Sequence, residues 1–155
     1  MIGTDECIYT HIMTDDLDLR PCRECLCLAS RHAARTITRA FDRSLRPTGM
    51  RSTQFTLLVM LMERGAVPIG KLADALGIER TTLTRNLALL ESNGWIAIAT
   101  ASEDARARIA TVTRRGRNAV AAALPLWGAA QYKALASIGA EGAQALRALA
   151  ATPIK

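Results

Sequence analysis

Aromatic side chains are scarce in this sequence: two Phe, two Tyr and two Trp, 4% of 155 residues. The hydrophobic share is nevertheless 50%. Alanine and leucine supply much of it, which favours helix over sheet. No apolar run approaches the ~18 consecutive residues that a membrane-spanning helix needs. Residues 1–18 contain Asp5, Glu6, Asp15, Asp16 and Asp18 but no Lys or Arg, the reverse of the basic start of a secretory signal. These absences predict a cytoplasmic protein with no membrane partner. Also missing are a Ser/His/Asp set, a glycine-rich phosphate loop and paired acids in a plausible cleft, so an enzyme is not expected and no cofactor is implied. The chain has no internal repeat and no low-complexity segment.

The chain does carry positive charge. Its formal net charge is +6, which suits a polyanionic partner such as nucleic acid. Beyond the acidic leader, a first long helix is expected from about Asp18–Pro21 to Leu45. Asp18 can cap it, and Pro21 is tolerated in a first turn. Its apolar positions are Leu26, Ala33, Ala34, Ile37, Phe41 and Leu45, and another face carries Arg31, Arg35, Arg39 and Arg43. Pro47 and Gly49 end it. Ser52 can cap a second helix over 53–63, with Phe55, Leu58, Val59 and Met62 inward.

The most informative stretch is IGKLADALGIERTTLTRNLALLESNGW, residues 69–95. A short amphipathic segment, 69–76, meets Gly77, and a longer one runs from Arg80 to about Asn93. Helix, tight turn, helix is the arrangement that places a second helix in the major groove of DNA. In that second helix Leu83, Leu87 and Leu90 form an inward stripe. Arg80, Thr81, Thr84, Arg85 and Ala88 then cluster on the other side, which holds no carboxylate. Thr82 lies in the same first turns. Arginine bonds guanine O6 and N7 or grips a phosphate, and threonine offers a hydroxyl and a methyl to base edges. A Thr/Arg face alone is ordinary solvated surface; its place as second helix of such a motif is what makes it a reading surface. Glu79 can act as a cap.

A β-hairpin should follow over 95–100 and 107–113, with Asp104, Arg106 and Arg108 at or near its tip. A projecting loop with arginine suits a minor groove. Otherwise these residues form a surface ion pair of about 0–1 kcal/mol. Thr113 can cap a long helix that Pro125 kinks, and Gly139 separates a last helix over 141–151.

The segment LRPTGMRSTQFTLL (45–58), the 69–95 block, the Asp104-x-Arg106 hairpin and the Val112-Thr113-Arg114-Arg115-Gly116-Arg117 helix start together resemble the MarR family of bacterial transcription regulators. The resemblance covers about residues 20–151. It implies a mainly α fold with a small β-hairpin wing: a winged helix-turn-helix over 47–112, and a helical dimerisation region made by 19–46 and 113–155. It also implies a homodimer on a pseudo-palindromic operator of double-stranded DNA. Ala105 departs from many relatives, which have a basic residue there.

Pro21 to Cys27 holds three of the four cysteines, Cys22, Cys25 and Cys27. On one continuous helix Cys25 and Cys27 would diverge by about 200° while Cys22 and Cys25 would share a face, with His32 two turns along. That disfavours a single-helix metal site, and no metal ligand set is assigned. Cys27 falls where OhrR-type peroxide sensors of this family keep a reactive cysteine, but Arg31 and Phe41 stand where that group has tyrosines. Nearby arginine can still favour a thiolate, and the alternative is cysteines packed as small apolar residues. Cys22, Cys25, Cys27, His32 and Arg35 are the redox or effector candidates. The functional expectation is a homodimeric repressor released by a small-molecule effector or by thiol oxidation. The rival is a cysteine-based metal-binding or redox protein whose winged-helix module serves protein contacts.

Overall fold

A computed structural model describes residues 19–65, 67–100 and 108–151. It divides into two compact units, Met1–Arg35 and Thr36–Lys155. In the first, a 3-10 helix over Arg20–Glu24 ends at Cys25, which is extended (φ −62°, ψ 109°). Helix α1 (Leu26–Leu45) begins only after that break. The expected single helix from Asp18–Pro21 is therefore two pieces, and Asp18 lies outside the described residues. The break also removes the premise that Cys22 and Cys25 share a helical face. Cys22 sits in the 3-10 turn, Cys25 between the helices, and Cys27 in the first turn of α1.

The second unit holds the end of α1, then α2 (Ser52–Arg64), β1 (Val67–Pro68), α3 (Ile69–Leu76), α4 (Arg80–Ser92), β2 (Ile96–Thr100), β3 (Arg108–Val112) and α5 (Arg114–Ala151). Gly49 takes a left-handed conformation (φ 70°) that turns the chain out of α1 towards α2, a geometry that costs glycine little. Ser52 does not cap α2; it is the first helical residue, and Arg51 precedes it. Its free N–H is instead satisfied by Asp42 Oδ1 at 2.8 Å, while Gln54 Oε1 accepts the Arg51 N–H at 2.8 Å. These contacts meet two donors that a helix start leaves unpaired.

β1, β3 and β2 form one antiparallel sheet in that order. Val67 pairs with Ala110, and Ile96 to Thr100 pair with Val112 to Arg108. The two-residue β1 was not expected from the sequence. It fastens the end of α2 to the hairpin.

One core unites the helices and the sheet. Leu45, Leu58, Leu72, Leu83, Leu87, Leu90, Trp95, Ile96, Ala110, Val120 and Ala123 are buried in one cluster. Each buried leucine contributes about 1.5–3 kcal/mol relative to exposure. On α2 the inward residues are Phe55, Leu57, Leu58 and Leu61, whereas Met62 is exposed. The inward face is thus rotated from the Phe55, Leu58, Val59, Met62 set. Thr113 is the cap expected of it: its hydroxyl oxygen accepts the Gly116 N–H at 3.0 Å and donates to the Gly94 carbonyl at 2.7 Å. Helical dihedrals continue through Pro125 and fail only at Gly139 (φ 71°, ψ 173°), which divides α5 as expected.

Candidate nucleic-acid interface

The turn between α3 and α4 decides where α4 points. Gly77 is left-handed (φ 61°, ψ 33°). Its N–H donates to Asp74 O at 3.2 Å, and the Ile78 N–H donates to Ala73 O at 3.3 Å. These bonds close the end of α3 as a left-handed glycine cap does. Leu83, Leu87 and Leu90 then sink into the core at 0–1% exposure. That fixes the rotation of α4 about its axis. Arg80, Thr81, Thr84, Arg85 and Ala88 are exposed in consequence.

The chemistry of this face is specific. Arg80 and Arg85 have no carboxylate partner among the ion pairs of the described residues. The Thr84 hydroxyl donates to Arg80 O at 2.8 Å, and its oxygen can still accept a hydrogen bond. Glu79 occupies the N-cap position, but its side chain makes no capping bond, so the capping role considered for it is not found. Leu89, exposed at 53%, adds an apolar group that the sequence reading did not single out.

Of the wing residues, Arg108 is exposed at the start of β3 and pairs across the hairpin with Thr100. Asp104 and Arg106 lie outside the described residues. Cys22, Cys25 and Cys27 are free and exposed, so none of them is packed as a small apolar core residue in the single chain. His32 and Arg35 are exposed on α1. Among the described residues no three His, Cys, Asp or Glu side chains are placed to hold a metal.

Thr82, also exposed, lies at the edge of this face. With Asn86 it reaches a cavity of about 430 Å³ lined by all five helices, α1 to α5. Ile37, Phe41, Leu57, Leu76, Ile78 and Trp127 give this cavity apolar walls, and Thr38, Thr53, Thr56 and Gln131 add uncharged polar groups. Trp127 stacks on Phe55 at 5.8 Å between ring centroids, with 19° between planes, and lies 6.4 Å from Phe41. The lining contains no charged side chain. The sequence reading missed Asn86 and the Thr38, Thr53 and Gln131 groups. Phe41 and Trp127 were legible only as apolar helix positions, because the cavity is assembled from five helices spread along the sequence.

Residues 50–107, which carry the α3–α4 turn and the exposed α4 face, match the MarR family model. The Mycobacterium tuberculosis transcriptional regulator MosR, solved in complex with DNA, is 40% identical, with 75% of this chain and 84% of that one covered and a TM-score of 0.69. This chain belongs to the MarR family. The HTH-type transcriptional regulator YwoH of Bacillus subtilis is 30% identical over 82 residues, 53% of this chain. The matched part spans 59% of that curated relative's length. Escherichia coli MarR bound to operator DNA shares the fold at 21% identity and a TM-score of 0.76, covering 86% of this chain and 96% of that one. For this MarR-family chain the mainly helical, winged-helix class is established, and no helix among the described residues is long and apolar enough to cross a membrane.

Proposed function

We propose that the protein is a homodimeric, sequence-specific DNA-binding repressor that reads a pseudo-palindromic operator with α4 and the hairpin wing. The observation that carries this reading is the two-sided character of α4. Its leucine stripe is locked in the core, while Arg80, Thr81, Thr84 and Arg85 in its first two turns are left open, with the exposed Glu91 near the far end of the same side. The complex of MosR with DNA supports it, as a relative at 40% identity. Arg80 and Arg85 are assigned to guanine edges or phosphates, Thr81 and Thr84 to base edges and backbone, and Arg108, with Asp104 and Arg106, to the wing contact.

Dimerisation is assigned to the outer helices, residues 19–46 and 113–155. Leu26, Leu124, Tyr132, Leu146 and Leu149 are each at least 43% exposed in the single chain. Burial against a second copy removes this apolar area from water.

Release is assigned to the Trp127 cavity. Its walls fit an uncharged, flat apolar molecule with one or two hydroxyl or carbonyl groups. An anion entering there would lose its hydration without gaining a counter-charge. Because Thr82 and Asn86 line it, a ligand pressing on them bears directly on α4. Oxidation of the exposed Cys22, Cys25 or Cys27 is a second release route, and the exposure of all three supports it.

A fluorescence-anisotropy titration with the intergenic DNA upstream of the coding region tests the reading. Binding should show two chains per duplex and weaken roughly tenfold or more between 50 and 200 mM salt, as released counterions require. Equal affinity for an unrelated duplex at every salt concentration contradicts it.

A further inference from the structure

Arg39 and Arg43 stand one turn apart on α1, Arg46 follows in the 3-10 turn Arg46–Thr48, and Arg51 precedes α2. All four line one cleft of about 330 Å³. The chain folds back between them at Gly49, and the turn is internally bonded. The Gly49 N–H donates to Arg46 O at 3.0 Å, the Thr48 hydroxyl donates to Leu45 O at 2.7 Å, and Met50 is buried as an anchor.

Asp42 is the one carboxylate in the lining, and it is already engaged. Oδ1 accepts the Ser52 N–H and hydroxyl at 2.8 and 2.7 Å, and Oδ2 faces Arg51 at 3.4 Å. Arg39, Arg43 and Arg46 appear in no ion pair among the described residues. Four guanidiniums less one carboxylate leave three positive charges on a short, braced turn. Like charges held together repel one another, and each guanidinium can grip a phosphate with two parallel N–H···O bonds.

We propose that this cleft is a binding site for a small anion of the di- or polyphosphate class, separate from both the α4 face and the Trp127 cavity. The charge matches a pyrophosphate unit. The volume exceeds one orthophosphate and leaves room for an attached organic group. A concave, braced cleft suits a compact anion better than the convex run of a duplex backbone. The site does not depend on the DNA-binding reading.

Calorimetric titration with inorganic pyrophosphate at low ionic strength tests it. The protein should bind about one pyrophosphate per chain, and orthophosphate more weakly. Arg43→Gln with Arg46→Gln should weaken pyrophosphate binding tenfold or more. The pair Arg64→Gln and Lys71→Gln, which removes the same charge from exposed positions elsewhere, should change it less than twofold. No saturable binding to the unsubstituted protein overturns the proposal. So does an equal loss in both pairs, which reduces the effect to net charge. A cleft pair that loses duplex affinity while pyrophosphate binding is unchanged also overturns it and makes these arginines backbone contacts.

Discussion

Asp42 sits where three neighbours decide its charge. Burial alone would raise its carboxyl, but the Ser52 N–H, the Ser52 hydroxyl and Arg51 outweigh that and hold it below the usual carboxylate value. The folded state therefore favours the ionised form. Its stabilisation is fully present above the unfolded value of about 3.9 and is lost as pH falls through the lower folded value. Asp42→Ala should cost about 1–2 kcal/mol near neutral pH, the scale of a lost helix-start acceptor. Urea unfolding at several pH values should show that difference shrinking below about pH 4. A difference constant from pH 7 to 3 would mean that the carboxylate charge contributes nothing. At the Trp127 cavity, titration with a neutral hydroxylated aromatic should shift tryptophan emission in the unsubstituted protein. Trp127→Phe should abolish the shift and leave the buried Trp95 as a silent reporter.

Elements meet most tightly where the wing joins α5. The Trp95 carbonyl accepts the Thr113 N–H at 2.9 Å, and Gly116 passes so close to that carbonyl that a Cβ there would overlap it. Gly116→Ala should destabilise the fold by about 1–3 kcal/mol, as overpacking does; an unfolding midpoint equal to that of the unsubstituted protein would refute the contact. Local pattern made much of this legible beforehand. The leucine stripe of α4, the glycine that ends α3 and the threonine that caps α5 each act within a turn or two of sequence. What stayed hidden depends on partners far along the chain. β1 has two residues and no alternation to read, and only its register with Ala110 and Ile109 makes it a strand. The inward face of α2 shifted from Met62 to Leu57 and Leu61 because α5 and the sheet, not α2's own spacing, choose it. Asp42 lies beside the arginines of α1 in sequence, yet its carboxylate serves Ser52 across the turn. In the same way, half of that stripe, Arg39 and Arg43, belongs to a cleft completed by Arg46 and Arg51. Sequence spacing puts the cysteines on one helix, and the extended Cys25 changes that geometry.

For the whole molecule, the α4 face and the exposed apolar residues of the outer helices have to work together. Two copies joined through residues 19–46 and 113–155 should sediment at twice 16.7 kDa. Leu146→Glu with Leu149→Glu should shift that equilibrium towards the single chain and lower operator affinity with it, because two half-sites are then no longer bound as one event. Persistence of the dimer with both charges in place would move the interface elsewhere. The central claim is that the Arg80 and Arg85 side of α4 enters the major groove, and the operator affinity of Arg80→Ala with Arg85→Ala, measured at fixed salt beside the unsubstituted protein, tests it most directly. Both side chains are exposed, so the fold should survive. The account predicts a loss of at least about tenfold, with each good base contact worth about 1–3 kcal/mol. Affinity and sequence preference unchanged in that double variant would contradict it.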